Sequence, residues 1–141
     1  SSAASDVYKR QALDKGPQLC DTYGQPVMDQ LHCFVGNQWK KHYDTPLHQV
    51  VCRLTGSIFV VGSVDTTGPQ LAARMQELYE QMPHECITTT GMMHRVQFTM
   101  SGAAAGLDEV EAKNWPALYE LCDARLRKVQ ASGGDRIGCA E

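Results

Sequence analysis

Six cysteines constrain this chain more than any other feature. Cys20, Cys33, Cys52, Cys86, Cys122 and Cys139 spread over nearly all of the 141 residues. Their number is even, and no two form a C-x-x-C pair. Zinc fingers and ribbons take closely spaced ligand pairs, so the spacing argues against such modules and no metal site is expected. Wide, even spacing fits three disulfides formed in an oxidising compartment. The expectation is a secreted, extracellular domain; of the 15 possible pairings, one set joins Cys20 to Cys139, Cys33 to Cys52 and Cys86 to Cys122. Each closed loop would contribute about 2–4 kcal/mol. The competing reading is a set of buried thiols.

The length suits one domain with a real core. Apolar residues make up 43% of the chain and charged residues 21%, which excludes a disordered chain as a whole. The longest apolar run, Ile58 to Val61, is strand-sized and far below the ~18 residues that cross a bilayer. A net charge of −3 lacks the footprint of a nucleic-acid binder, and no polybasic membrane patch is present. No signal-peptide pattern is visible, so a mature form is expected. No N-x-S/T sequon occurs. Residues 1–19 read as a disordered N-terminal arm, ended by Gly16-Pro17, and residues 20–141 as a single domain. Within the arm, Lys9-Arg10 reads either as a kexin-type processing site or as a solvated charge pair.

Val27 to Tyr43 has near-helical apolar spacing interrupted by Gly36, although Leu31 to Val35 also suits a strand. Val50 to Leu54 and Ile58 to Val64 are rich in β-branched residues and flank Thr55-Gly56-Ser57, predicting a hairpin. Pro69 opens a helix whose stripe is Leu71, Met75, Leu78, Tyr79 and Met82, and Pro83 stops it. Met92 to Met100 alternates as a strand, followed by a small-residue loop at 101–106 and a short helix from Leu107 to Lys113. Asn114 caps a last helix with stripe Leu118, Cys122, Leu126 and Val129, which Gly133-Gly134 ends. Arg136 to Cys139 suits a short edge strand. The order predicts an α+β, two-layer domain: a mostly antiparallel sheet with helices packed on one face, stapled by disulfides. A ferredoxin-like arrangement is compatible with this order.

The chain has no G-x-S-x-G elbow, P-loop, H-E-x-x-H or dinucleotide fingerprint, and no cofactor is expected. His42 and His48 bracket a Pro-containing loop beside Lys41 and Tyr43. Two histidines and a cation can serve as base, acid and charge stabiliser in a ribonuclease-like hydrolase, and the same residues make an ordinary exposed basic loop. His84 and Cys86 offer two metal ligands only if Cys86 is unpaired. His94 reads as a core histidine. Asp108, Glu109 and Glu111 read as helix-dipole partners. Trp39 and Tyr43 are the residue types favoured as interface anchors. Together Trp39, Lys41, His42, Tyr43 and His48 form the expected binding surface.

The polar arm with Lys9-Arg10, the six cysteines and the compact α/β core resemble secreted fungal effectors and killer-toxin-like proteins. His94-Arg95-Val96-Gln97 is loosely similar to the Trp-Arg-aliphatic-Arg motif of the Leptosphaeria avirulence and suppressing effectors, departing at its first and last positions. The resemblance implies a virulence protein of a plant pathogen that is recognised by a host resistance receptor; the expected mode of action is binding of a host protein, as a monomer and without turnover. A small secreted ribonuclease-like hydrolase and a secreted inhibitor or toxin module are the alternatives.

Overall fold

The computed structural model describes residues 7–43, 49–55, 58–63, 67–89 and 91–138. In chain order the elements are β1 (Val7–Leu13), α1 (Gly16–Tyr23), α2 (Gln25–Tyr43), β2 (Gln49–Thr55), β3 (Ile58–Ser63) and α3 (Gly68–Gln81). They continue with β4 (Glu85–Thr88), β5 (His94–Gln97), β6 (Met100–Gly106), a 3-10 turn (Leu107–Glu109), α4 (Trp115–Ala131) and β7 (Arg136–Gly138). The main sheet has the order β2-β3-β1-β6-β7, and β4 pairs with β5 in a separate two-stranded sheet. All main-sheet pairings are antiparallel except β6–β7. The order β2-β3-β1-β6, with helices between β1 and β2 and between β3 and β6, is the ferredoxin-like split βαβ pattern. A further crossover through α4 adds β7 at the edge. There the Ile137 N–H donates to Gln76 Oε1 of α3 at 2.7 Å, so a side chain occupies that edge donor.

Local chemistry explains the best-specified helices. Thr67 accepts from the Gln70 N–H while the Gln70 side chain accepts from the Thr67 N–H, closing a capping box at α3. Leu71, Met75, Tyr79 and Met82 are buried, while Leu78 packs against the core from a half-buried position. Asn114 caps α4 by accepting from the Ala117 N–H at 3.0 Å.

Four expectations need correction. Helices cover both faces of the sheet. On β6, Met100 and Ala104 join the main core of α2 and α3, whereas Ala103 and Ala105 lie against Leu126, Leu118 and Cys122 of α4. Successive strand residues point to opposite faces, so the domain has three layers. The expected arm does not extend to residue 19, because residues 7–13 form the central strand β1, paired on both sides. Lys9-Arg10-Gln11 hides that strand from any apolar alternation. The expected loop at 101–106 is strand β6, buried at every position. Its Ala, Gly and Ser residues have poor β propensity, but the strand is paired on both sides and covered on both faces, so tertiary context overrides that preference. The single strand expected from Met92 to Met100 is two strands in different sheets.

The disulfide expectation fails as well. Cys20, Cys33, Cys86 and Cys122 are thiols. Cys86 lies in the core between β4 and α2, while Cys122 lies under α4 on the other face, so the main sheet separates that expected pair. With Cys20 and Cys33 as thiols, the expected pairings to Cys139 and Cys52 lose their first members. The side chains of Cys52 and Cys139 lie outside the described residues. Burial of the Cys86 thiol pushes its pKa up, which keeps it protonated.

Candidate functional site

The turn after β1 organises the end of the sheet. Asp14 accepts from Thr99 Oγ1 at 2.7 Å, from Ser101 Oγ at 2.5 Å and from the Asp135 N–H at 2.9 Å, and its own N–H donates to the Thr99 carbonyl at 2.9 Å. One carboxylate thereby ties β1 to the start of β6 and to the turn before β7. Charge-assisted bonds of this kind are the strong ones. Gly133 and Gly134 make that turn with φ of +116° and +70°. A Cβ on Gly134 would stand 2.7 Å from Asp14 Oδ2 and 2.8 Å from Ser101 Oγ, so only glycine fits.

Tyr79 extends the network. Its hydroxyl donates to Asp135 Oδ1 at 2.6 Å and accepts from the Met100 N–H at 2.7 Å. Burial, and secondarily the bond to Asp135, push the phenol pKa well above its ordinary value. His84 stacks on Tyr79 with centroids 4.3 Å apart, and its Nε2 lies 2.7 Å from the Tyr79 carbonyl. A carbonyl oxygen only accepts, so Nε2 carries a proton and donates this bond, and Nδ1 is an acceptor in the tautomer that carries no second proton.

Asp14, Thr99 and His84 of this network also line a cleft of about 570 Å³, together with Lys15, Leu19, Glu85, Gln97 and Phe98. Leu19 and Phe98 supply apolar surface, and His84 is held by Tyr79. Lys15, exposed and lining the cleft, lies in the left-handed region with φ of 54°, and strained backbone of this type clusters at binding sites. Glu85 Oε1 pairs with Arg95 at 2.7 Å. The cleft therefore offers an exposed ammonium, a carboxylate, a fixed imidazole and an apolar floor. No local sequence pattern could have found it, since its residues run from 14 to 99.

A second polar centre is structural. Glu109 accepts from Arg125 Nη2 at 2.7 Å through Oε1, and through Oε2 from the Gly106 N–H at 2.7 Å and Arg125 Nη1 at 3.1 Å. The Arg125 guanidinium holds the Glu109 pKa below the usual carboxylate range. Arg125 also donates to the Ala104 carbonyl at 3.0 Å, clamping α4 to β6. The expected dipole role of Glu109 gives way to this ion pair.

The sequence-predicted surface does not assemble as expected. Trp39 is 1% exposed and belongs to the core beneath α2, which removes it as a surface anchor. Lys41 is exposed on the same helix. The side chains of His42 and Tyr43, and all of His48, lie outside the described residues. His84 is committed to Tyr79 and Cys86 faces the core, so the pair offers no shared ligand site. Among the described residues, no three His, Cys, Asp or Glu side chains group to hold a metal. His94 is half-buried and meets Tyr23 edge-on at 5.3 Å.

No protein-family model and no curated protein matches the sequence. Solved structures do match. The GGDEF domain of YfiN (TpbB) from Pseudomonas aeruginosa aligns with a TM-score of 0.84 at 16% identity, over 98% of this chain and 83% of that one. The GGDEF domain of DgcB from Caulobacter crescentus, in complex with c-di-GMP, aligns at 0.76 with 16% identity over 98% and 77%. The active GGEEF domain of a diguanylate cyclase from Vibrio cholerae aligns at 0.72 with 14% identity over 96% and 83%. These bacterial neighbours overturn the likeness to fungal effectors and killer-toxin-like proteins, and with it the expected role of a virulence protein bound to a host partner. The toxin alternative falls with it. The chain has the fold of bacterial GGDEF domains.

Proposed function

We propose that this chain is a regulatory GGDEF-fold domain of cyclic-di-GMP signalling that binds a guanine nucleotide without converting it. The observation that carries the reading is the fold match over almost the whole chain. One matched neighbour holds c-di-GMP, and another is the active domain of a diguanylate cyclase.

The absence of turnover is read from the sequence. Neither Gly-Gly-Asp-Glu-Phe nor Gly-Gly-Glu-Glu-Phe occurs in it. Two windows share three letters with the first motif, Gly133-Gly134-Asp135-Arg136-Ile137 and Gly106-Leu107-Asp108-Glu109-Val110. In the first, Gly134 packs on Asp14 and Asp135 is bound by Tyr79. In the second, Glu109 is bound by Arg125. Thr55-Gly56-Ser57-Ile58-Phe59, which spans the β2–β3 connection, shares one glycine and the phenylalanine and has no carboxylate. Phosphoryl transfer relies on positioned charges and on metal ions held by carboxylates. None of the three windows offers a free pair of them.

The cleft beside Tyr79 supports binding. Guanine presents adjacent N–H donors that suit Glu85 and His84 Nδ1, and a phosphate suits Lys15. In the test, purified protein is incubated with GTP and Mg²⁺ or Mn²⁺ and analysed for cyclic di-GMP by mass spectrometry, with none expected. Calorimetry should detect GTP or cyclic di-GMP binding that Lys15→Ala or His84→Ala weakens tenfold, about 1.4 kcal/mol. Product formation would refute the non-catalytic reading, and failure of both nucleotides to bind would refute the nucleotide reading.

A further inference from the structure

We propose that Cys33 and Cys86 form a peroxide-sensitive thiol pair that cross-links α2 to β4. Both line one cleft of about 400 Å³, together with Asp29, Gln30, Phe34, Ile87 and Thr89. The two sulfurs come from different elements and differ in environment. Cys33 is exposed on α2, whereas Cys86 is 4% exposed, on the inward face of β4. The seam is already registered, because the Thr89 N–H donates to Gln30 Oε1 at 2.9 Å. Cys33 follows Gln30 by one helical turn, and Cys86 lies on β4 three residues before Thr89. An accessible thiol poised next to a second cysteine is the arrangement in which a sulfenic acid is resolved as a disulfide.

The chemistry balances with a hydroperoxide as oxidant. The Cys33 thiolate attacks the peroxide, an S–O bond forms, the O–O bond breaks, and the oxidant leaves as water or an alcohol. Cys33 is then a sulfenic acid. The Cys86 sulfur attacks it, an S–S bond forms, and the hydroxyl leaves as water with the proton given up by Cys86. Burial keeps Cys86 a thiol in the resting state, so it reacts only once Cys33 is oxidised. A disulfide needs Cα atoms within roughly 4.4–6.8 Å, so the product holds α2 and β4 at that separation across the cleft. In the resting protein both residues are thiols, and the bond is a reversible product rather than a staple of the fold.

The test treats the full chain with hydrogen peroxide and maps peptides by mass spectrometry. The expected product is a Cys33–Cys86 cross-linked peptide lacking two hydrogens and released by dithiothreitol. Cys86→Ala should leave Cys33 as a sulfenic acid that dimedone traps, with at least a fivefold gain in adduct over the wild type. Cys20→Ser should leave the cross-link unchanged, which guards against a folding artefact. A cross-link mapped to another cysteine, or equal dimedone labelling of Cys33 in wild type and Cys86→Ala, would overturn the proposal.

Discussion

Gly134→Ala tests the junction that closes the domain. The residue sits at φ +70°, where a side chain costs roughly 1–2 kcal/mol. The new Cβ would lie 2.7 and 2.8 Å from the two Asp14 carboxylate oxygens and 2.8 Å from Ser101 Oγ, closer than atoms can pack. The carboxylate must move and give up at least one of its three bonds, each worth about 1.5–3 kcal/mol for a charged acceptor. The sum is a loss of about 2.5–5 kcal/mol. Gly91→Ala is the control, with nearly the same φ, +71°, and nothing within 4 Å of the added atom. It should lose only the backbone part, about 1–2 kcal/mol. Urea denaturation of the two variants measures both numbers. Asp14→Ala removes two of the three close contacts and leaves Ser101 Oγ, so Gly134→Ala in that background should cost less than in the wild type. Equal losses for Gly134→Ala and Gly91→Ala in the wild-type background would refute the argument that close approach to Asp14 demands glycine.

Tyr79→Phe should cost about 2–3 kcal/mol by leaving the Met100 N–H and Asp135 without their shared partner, measured by the same denaturation. Because the Tyr79 pKa is raised in the fold, its contribution is complete below pH ~10 and is lost as pH rises above that value, so the wild type should lose more stability than Tyr79→Phe in alkali. The depressed pKa of Glu109 has the opposite sign: its contribution is present above pH ~4.3 and fades as pH falls, so Glu109→Gln should flatten the acid limb of the stability profile. Met75→Ala should cost about 2–5 kcal/mol because Met75 is fully enclosed, and half-buried Leu78→Ala should cost distinctly less; the reverse order in thermal melts would contradict the packing of α3.

The sequence by itself determined the elements whose free energy is local. Thr67, Pro69 and a regular stripe specify α3, while Asn114, Pro116 and Gly133-Gly134 bound α4. The β-branched runs on either side of Thr55-Gly56-Ser57 mark β2 and β3. Tertiary structure alone decided β1 and β6, the two strands at the middle of the sheet. Val7–Leu13 carries three consecutive polar residues, and Met100–Gly106 is almost all small residues; each is a strand because its backbone is paired on both sides. Those partners are remote in sequence, so no window of residues contains the energy that selects the strand. The cysteines follow the same logic. Their count suggested staples, but Cys86 and Cys122 project into cores on opposite faces of one sheet. The cleft at Lys15 and His84 is likewise invisible in the sequence. It exists because Asp14, Tyr79 and Asp135, far apart along the chain, satisfy one another's hydrogen bonds where burial makes an unmet bond costly.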